Sequence, residues 1–239
     1  MPSPADAAPS WVWVAELPEP GASVVLGRED GHHVVRVCRA RTGDSLTLTD
    51  GRGALARARV TQVEPRAVVE VTSRDVTARG REATFLCGAP EGERGDWLVE
   101  KLGELGIAVF QPVDCERAQW RPTASRAARW RRLAVAALRQ SRRSHLLEVR
   151  DPQPLAEALE RLDASAERWV ADPSGRAAAH VRPPLKPSVG MIGPGPGLSG
   201  REMEIILASG FDRIRLSNGV LRSETAALAW AAWWAGGDP

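Results

Sequence analysis

Between residue 11 and about residue 77 the apolar positions come in short runs with the alternation of β-strands: WVWVAEL, ASVVLG, HHVVRVC, DSLTLTD, ALARARVTQV and AVVEVTS. Pro, Gly and Asp turn signals such as Asp50-Gly51 separate them, and short strands at this spacing predict a small barrel or sandwich. After Arg79-Gly80-Arg81 the period changes. ATFLCGA (83–89) reads as a buried strand, and Trp97, Leu98, Lys101, Leu102 and Leu105 recur at helical spacing, with the stem of Lys101 laid along the apolar stripe. IAVFQPV (107–113) is a second strand. Helices are predicted over 125–141 and 154–162, strands at 168–172, 188–193 and 213–217, and further helices from Ser199 and Ser223. This alternation predicts an α/β domain with a mainly parallel sheet, whose ligand loops follow the carboxyl ends of the strands. The domains are expected at 11–77 and 82–239, after a disordered tail over residues 1–10.

Composition narrows the class. The 239 residues are 43% hydrophobic and 26% charged, close to globular averages, so wholesale disorder is excluded. Cys38, Cys87 and Cys115 are widely spaced, with no CxxC and no companion histidine cluster. Neither a disulfide framework nor a metal site is indicated, and a reducing cytoplasm fits best. The first ten residues lack the basic start and apolar core of a signal peptide. The longest uncharged apolar stretch, residues 225–237, is 13 residues long, short of the roughly 18 a membrane span needs. A soluble cytoplasmic protein is expected.

Three features carry candidate chemistry. The first is the loop Ile192-Gly193-Pro194-Gly195-Pro196-Gly197-Leu198-Ser199-Gly200, between an apolar strand and a helix that Ser199 and Glu202 open with a capping box. Its glycines let the backbone approach a ligand, and the amides beside the helix start suit an anion or a purine edge; the bland alternative is an ordinary strand-to-helix connection. The run satisfies GxGxxG, but no acid closes the next strand and no Gly-Lys-Ser/Thr follows, so a dinucleotide site is weakly supported and a P-loop is excluded.

The second is Leu216-Ser217-Asn218-Gly219-Val220-Leu221-Arg222-Ser223-Glu224-Thr225. Glu224 suits the first turn of a helix, whereas Arg222 just before it is unfavourable unless an anion or carboxylate lies nearby. The third is charge. Residues 117–150 hold ten arginines against the single acid Glu148, although the whole chain is only +2. Such segregation suits phosphate recognition, with a solvated basic face as the alternative. His32 and His33, on a strand, would point to opposite faces and not share a metal. Trp230, Trp233 and Trp234 fall at packing positions of a helix.

The order of these motifs matters more than any one of them. EDGHHVVRVCRARTGDSLTLTDGRG, WLVEKLGELGI leading into QPVDCERA, WRRLAVAALRQSRR, MIGPGPGLSGREMEIILASGF and LSNGVLRSETAAL together resemble the RsmE family, over about residues 14–235. That family methylates a uridine of 16S ribosomal RNA at N3 with S-adenosylmethionine (SAM). The resemblance implies a PUA-like β-barrel that helps bind RNA or substrate, then a SPOUT domain with a deep trefoil knot, acting as a homodimer on 16S rRNA or the small ribosomal subunit. It implies a SAM site in three loops, through Asp172, Ile192, Gly193, Pro194, Gly195, Gly197, Leu216, Ser217, Asn218, Val220, Leu221 and Thr225. Arg222 and Glu224 are the implied catalytic pair. Arg36, Arg39, Arg139, Arg142 and Arg143 are the candidate phosphate contacts.

The sequence departs from the family pattern where it reads Gly193-Pro194-Gly195-Pro196-Gly197 in place of the usual GPEGG, and Leu216-Ser217-Asn218-Gly219-Val220-Leu221-Arg222 in place of LGPRxLR. A carboxylate is missing and one turn is rewritten. Two alternatives therefore stand beside the RNA methyltransferase: a diverged SAM-dependent enzyme acting on a small aromatic or heterocyclic metabolite, and an inactive RNA-binding homologue.

Overall fold

The computed structural model describes residues 10–237. The expected tail lies outside them except for Ser10, whose carbonyl accepts from the backbone N–H of Thr47 at 2.9 Å. The chain forms two compact units, one built on the segment up to Arg79 together with Leu138–His145, the other on Gly80–Ala137 and the segment from Leu146 onward.

The first unit is a five-stranded sheet of β1 (Trp11–Trp13), β2 (Ser23–Val25), β3 (Ser45–Thr49), β4 (Ala54–Gln62) and β5 (Val68–Val76), in the order β1-β3-β4-β5-β2. β1 joins β3 in parallel and the remaining pairs are antiparallel. Period-two patterning explains it: in β4, Ala54, Ala56, Ala58 and Val60 are buried while Arg57 and Arg59 are exposed. These residues meet Leu46, Leu48, Val69 and Val71 in one core.

One expected strand is a helix. HHVVRVC lies in α1 (Arg28–His32) and in a wider π-helical turn that continues it over His33–Val37. Glu29 and Asp30 in the first turn favour a helix start. The turn buries Val34 alone and leaves Val37 exposed, which a strand alternation would not do. His32 and His33 are therefore both exposed neighbours on a helical turn rather than residues on opposite faces of a strand.

The second unit follows the expected alternation: β6 (Ala83–Cys87), α2 (Gly92–Glu104), β7 (Val109–Asp114), α3 (Ala124–Ser141, counted in this unit as far as Ala137), β8 (Glu148–Val149), β9 (Gln153–Pro154), α4 (Leu155–Glu160), β10 (Glu167–Ala177), β11 (Ser188–Ile192), α5 (Gly200–Ala208), β12 (Asp212–Arg215) and α6 (Ser223–Ala235). The strands run in the order β12-β10-β11-β6-β7-β8, every neighbouring pair parallel, with β9 beside β7. Both faces are covered, so successive strand residues serve different cores. Phe85, Cys87 and Ile192 pack with Leu98, Trp130 and Trp230 of α2, α3 and α6. Leu86, Val189 and Met191 pack with Leu159 and Ile206 of α4 and α5. Gly190 is held to glycine by α6, because a Cβ there would lie 2.7 Å from the Trp230 ring.

Two residues of α2 differ from expectation. Trp97 faces out, leaving Leu98, Val99 and Leu102 as the buried stripe. Lys101 is held by Glu100 and Glu104, at 2.9 and 2.7 Å, rather than lying along that stripe. No helix among the described residues is long and apolar enough to cross a membrane.

Topology sets the site. β6 and β11 are neighbours, yet the chain leaves β6 toward β7 on one side, whereas β11 leads to β12 beyond β10 on the other. Diverging connections of this kind open a crevice beyond the carboxyl ends of the strands.

Candidate active site

Three loops border that crevice. In β10 the pairing with β12 shifts register between Ala171 and Arg176, so residues 172–175 bulge outward. Gly175 lies so close to β12 that a Cβ would fall 2.6 Å from the Ile214 nitrogen. Asp172 accepts from the Ser174 backbone N–H at 2.7 Å, and its other oxygen lies 4.0 Å from Arg213 Nε.

The loop after β11 is folded by short contacts. Gly197, with φ of +82°, donates its N–H to the Pro194 carbonyl at 2.7 Å. Gly88, after β6, donates to the Ile192 carbonyl at 3.0 Å, and a Cβ on Gly88 would fall 2.6 Å from the Pro194 nitrogen. The predicted capping box is present: Ser199 Oγ accepts from Glu202 N at 3.1 Å, and Glu202 Oε2 accepts from Ser199 N at 2.7 Å. Glu202 is buried, and its second oxygen accepts from the Glu116 backbone N–H at 2.7 Å. One carboxylate thus ties the start of α5 to the turn that carries Arg117. In the third loop Ser217 Oγ accepts from Gly219 N at 3.1 Å, Val220 is almost wholly exposed, and Arg222 is the residue preceding α6.

Together the loops enclose a cavity of about 350 Å³. Of the residues that the resemblance implies for a cofactor site, Asp172, Ile192, Gly193, Pro194, Gly195, Gly197, Leu216, Ser217, Val220 and Leu221 line it. Asn218 and Thr225 do not, and both are exposed. Arg117, Met203, Arg215 and Ala226 join the lining without having been singled out. The Nε of Arg215 is buried and has no hydrogen-bond partner, a donor left for a ligand to satisfy.

A second cavity of about 640 Å³ abuts the first, sharing Pro194, Gly195, Pro196, Val220, Leu221 and Ser223 as a common wall. Arg222 and Glu224 lie in its lining, with Glu91, Arg94, Gln119 and Trp120. Glu224 is buried in the first turn of α6, and its carboxylate lies 3.7 Å from Arg94 Nε of α2. Arg222 is exposed and its side chain makes no ion pair or hydrogen bond among the described residues; its carbonyl accepts from Ala226 N at 2.8 Å in the first turn of α6. The carboxylate sought for Arg222 thus belongs to Arg94. Arg94 and Trp120 were not legible in advance, because each is far in sequence from Glu224 and joins it only through the packing of α2 on α6 and the turn after β7.

The basic segment looks different in space than along the chain. Arg126 and Arg129 both bond Asp96, Arg131 bonds Asp151, Arg150 bonds Glu148 and Arg139 bonds Asp30. Burial pushes the Asp30 carboxyl above its usual range despite the Arg139 charge beside it. Arg36 is exposed and 3.7 Å from Glu64. Arg39 and Arg142 are exposed in left-handed backbone conformation, both with φ of +54°, and Arg143 is exposed. Arg36, Arg39, Arg139, Arg142 and Arg143 all belong to the first unit, none to the lining of either cavity. Burial raises the thiols of Cys87 and Cys115, the latter to about 12, so both remain protonated and neither serves as a thiolate nucleophile.

A parallel α/β sheet with a loop-lined cleft beyond its strand ends is a class of fold that takes nucleotide-like ligands at that cleft. A family model described as an RNA methyltransferase domain matches residues 78–235, and one described as an RNA methyltransferase PUA domain matches residues 26–71. The chain belongs to this family of RNA methyltransferases, and within it to the RsmE group. It is 26% identical over 220 residues to the ribosomal RNA small subunit methyltransferase E of Synechocystis sp., covering 86% of this chain and 70% of that protein. It is 27% identical over 234 residues to the Mycobacterium tuberculosis protein of the same description, covering 90% and 87%. The crystal structure of ribosomal RNA small subunit methyltransferase E from Neisseria gonorrhoeae bound to S-adenosyl methionine superposes with a TM-score of 0.86, at 30% identity, over 94% of this chain and 96% of that one.

Proposed function

We propose that the protein is a SAM-dependent methyltransferase acting on small-subunit ribosomal RNA, with N3 of a uridine as the acceptor atom. The observation that carries this reading is the pair of abutting cavities at the switch point, one walled by glycine-rich backbone and the other by Arg222 and Glu224.

The first cavity fits the cofactor in size and chemistry. At about 350 Å³ it falls within the roughly 300–1,000 Å³ of small-ligand sites. A Cβ built at Gly195 or Gly219 meets nothing within 4 Å, so the loops border open space rather than one another there. Asp172 and the unpartnered Arg215 Nε supply one acceptor and one donor for the charged ends of an amino-acid moiety. These features weigh against the inactive homologue. The breadth of the second cavity and its charged lining weigh against a narrow apolar pocket for a small metabolite.

When bound, SAM supplies a methyl group on a sulfonium sulfur; the S–C bond breaks toward sulfur as the acceptor nitrogen forms the new N–C bond. The protein has to align that nitrogen and dispose of its proton. Arg222, exposed and unpaired at the mouth of α6, stabilises the negative charge that develops on the deprotonated base. Glu224, steadied by Arg94, is the carboxylate in the same wall that takes the proton. The remaining features of the reading are a knotted path for the three loops, a homodimer and a cytoplasmic setting. Placement of β11 between β6 and β10, both earlier in the chain, supports the knotted path.

Calorimetry with SAM and methyl transfer to unmodified small subunits, for the parent and for Arg222→Ala, test the proposal together. SAM affinity is expected to survive the substitution, while kcat falls about 100-fold or more, the usual cost of losing a charge-stabilising donor. Unchanged kcat with intact SAM binding removes Arg222 from the reaction. A parent protein that does not bind SAM overturns the whole reading.

A further inference from the structure

Trp120 stands between the second cavity and a groove of about 580 Å³ that also takes in Asp96, Arg126, Arg129 and Arg132. It is only partly buried and has no hydrogen-bond partner among the described residues. Two side chains nonetheless contact its ring. Arg126 lies over it with the guanidinium carbon 5.8 Å from the ring centroid, and Trp130 meets it edge-on with centroids 6.3 Å apart at 76°. Both supports are fixed by one carboxylate: Asp96 Oδ1 accepts from Arg126 at 3.2 Å and from Trp130 Nε1 at 3.0 Å. Arg126 lines the groove and not the cavity, so the cation backs the ring from the groove side. Arg132, exposed in the same groove, has no partner among the described residues.

We propose that Trp120 is the stacking platform for the acceptor base in the second cavity, and that the adjoining groove carries the neighbouring phosphate on Arg132. The proposal rests on the RNA methyltransferase reading and names how that site holds its substrate. An aromatic face fixed in advance takes a base without ordering cost, and a cation behind the ring leaves its other face open. Packing alone would explain an aromatic ring beside Trp130. It does not explain why this indole forms the wall of a charged cavity next to Glu224 and Arg222.

The test combines kinetics with a binding measurement that needs no turnover. With unmodified small subunits as substrate and SAM saturating, Trp120→Ala is expected to raise KM about 5- to 150-fold, the range of base–aromatic stacking. Trp120→Phe should recover most of that loss, and SAM affinity by calorimetry should be the same in all three proteins. Arg132→Ala should weaken binding of a single-stranded oligouridine and lower its log–log salt slope by about one. Oligouridine binding is measured on the same set. If the parent binds SAM but methylates nothing, the functional reading fails while oligouridine affinity still decides the role of Trp120. Equal affinity for parent and Trp120→Ala overturns the platform. So does a Phe variant as impaired as the Ala variant with an equally lowered unfolding midpoint, since that marks packing.

Discussion

Removing the Glu202 carboxylate tests how the loops around the first cavity are held. Glu202 is buried, and its two oxygens accept from Ser199 N and Glu116 N, each at 2.7 Å. In Glu202→Ala the hydroxyl cap from Ser199 persists, because its donor is the backbone N–H of residue 202. Two other backbone N–H groups lose a charged acceptor, each worth about 1.5–3 kcal/mol. Since they share one side chain the losses are not additive, and a total of about 3–5 kcal/mol is expected. For a chain of this length that lowers the unfolding midpoint by about 6–20 °C. Ser199→Ala, which removes only the hydroxyl cap, should cost about 1 kcal/mol. Glu202→Gln, with one acceptor oxygen left, should fall between them. Urea denaturation gives the stabilities. Calorimetry with SAM gives the functional consequence, because the same carboxylate fixes both the 193–199 loop and the turn bearing Arg117. Affinity is expected to fall in the same order as stability. If Glu202→Ala loses no more stability than Ser199→Ala, the tie between α5 and the Glu116 turn does not have the strength its geometry indicates.

Gly88→Ala would set a Cβ 2.6 Å from the Pro194 nitrogen; overpacking of this kind costs about 1–3 kcal/mol by urea denaturation, and because Pro194 walls both cavities the SAM affinity measured by calorimetry should fall as well. Asp96→Ala leaves the Trp130 indole N–H and two arginines without their acceptor and should cost about 2–4 kcal/mol by urea denaturation, whereas Asp96→Asn keeps an oxygen for Trp130, costs less, and steepens the salt dependence of RNA binding by freeing Arg126 and Arg129. Of the three thiols, only exposed Cys38 should react rapidly with a thiol reagent in the native protein at pH 8, with Cys87 and Cys115 reacting on unfolding. Burial, aided by Glu202, holds the Cys115 thiol up at about 12 against an ordinary 9.0, so the unfolded chain ionises first: its contribution to stability is complete below pH 9 and is lost as pH rises toward 12. Cys115→Ala should flatten that alkaline decline.

Much of the second unit was legible because its strands are continuous apolar runs and its helices carry local start signals. The capping box at Ser199 and Glu202, written in four consecutive residues, is present as predicted. The loops of the first cavity were legible for the same reason: glycines and turn residues act on the chain within a few positions of themselves. HHVVRVC was not, because two adjacent valines fit either period and the decision came from burial of Val34 alone. Charge was the least legible. Ten arginines in one segment look like a single basic face, yet Asp30 and Asp96 reach them from other parts of the chain and Asp151 from just past the segment's end. Arg94 beside Glu224 is the same lesson at the site, since that ion pair spans from α2 to α6 and leaves no mark in either local sequence.

The most direct measurement is transfer of labelled methyl from SAM to small ribosomal subunits that lack the modification, with digestion of the RNA to nucleosides afterwards. Label recovered in the 16S RNA as a uridine methylated at N3, abolished in Arg222→Ala while that variant still binds SAM, is the predicted result. A parent protein that binds SAM and leaves the RNA unlabelled, while a small aromatic metabolite in the same assay gains the methyl group, would contradict it.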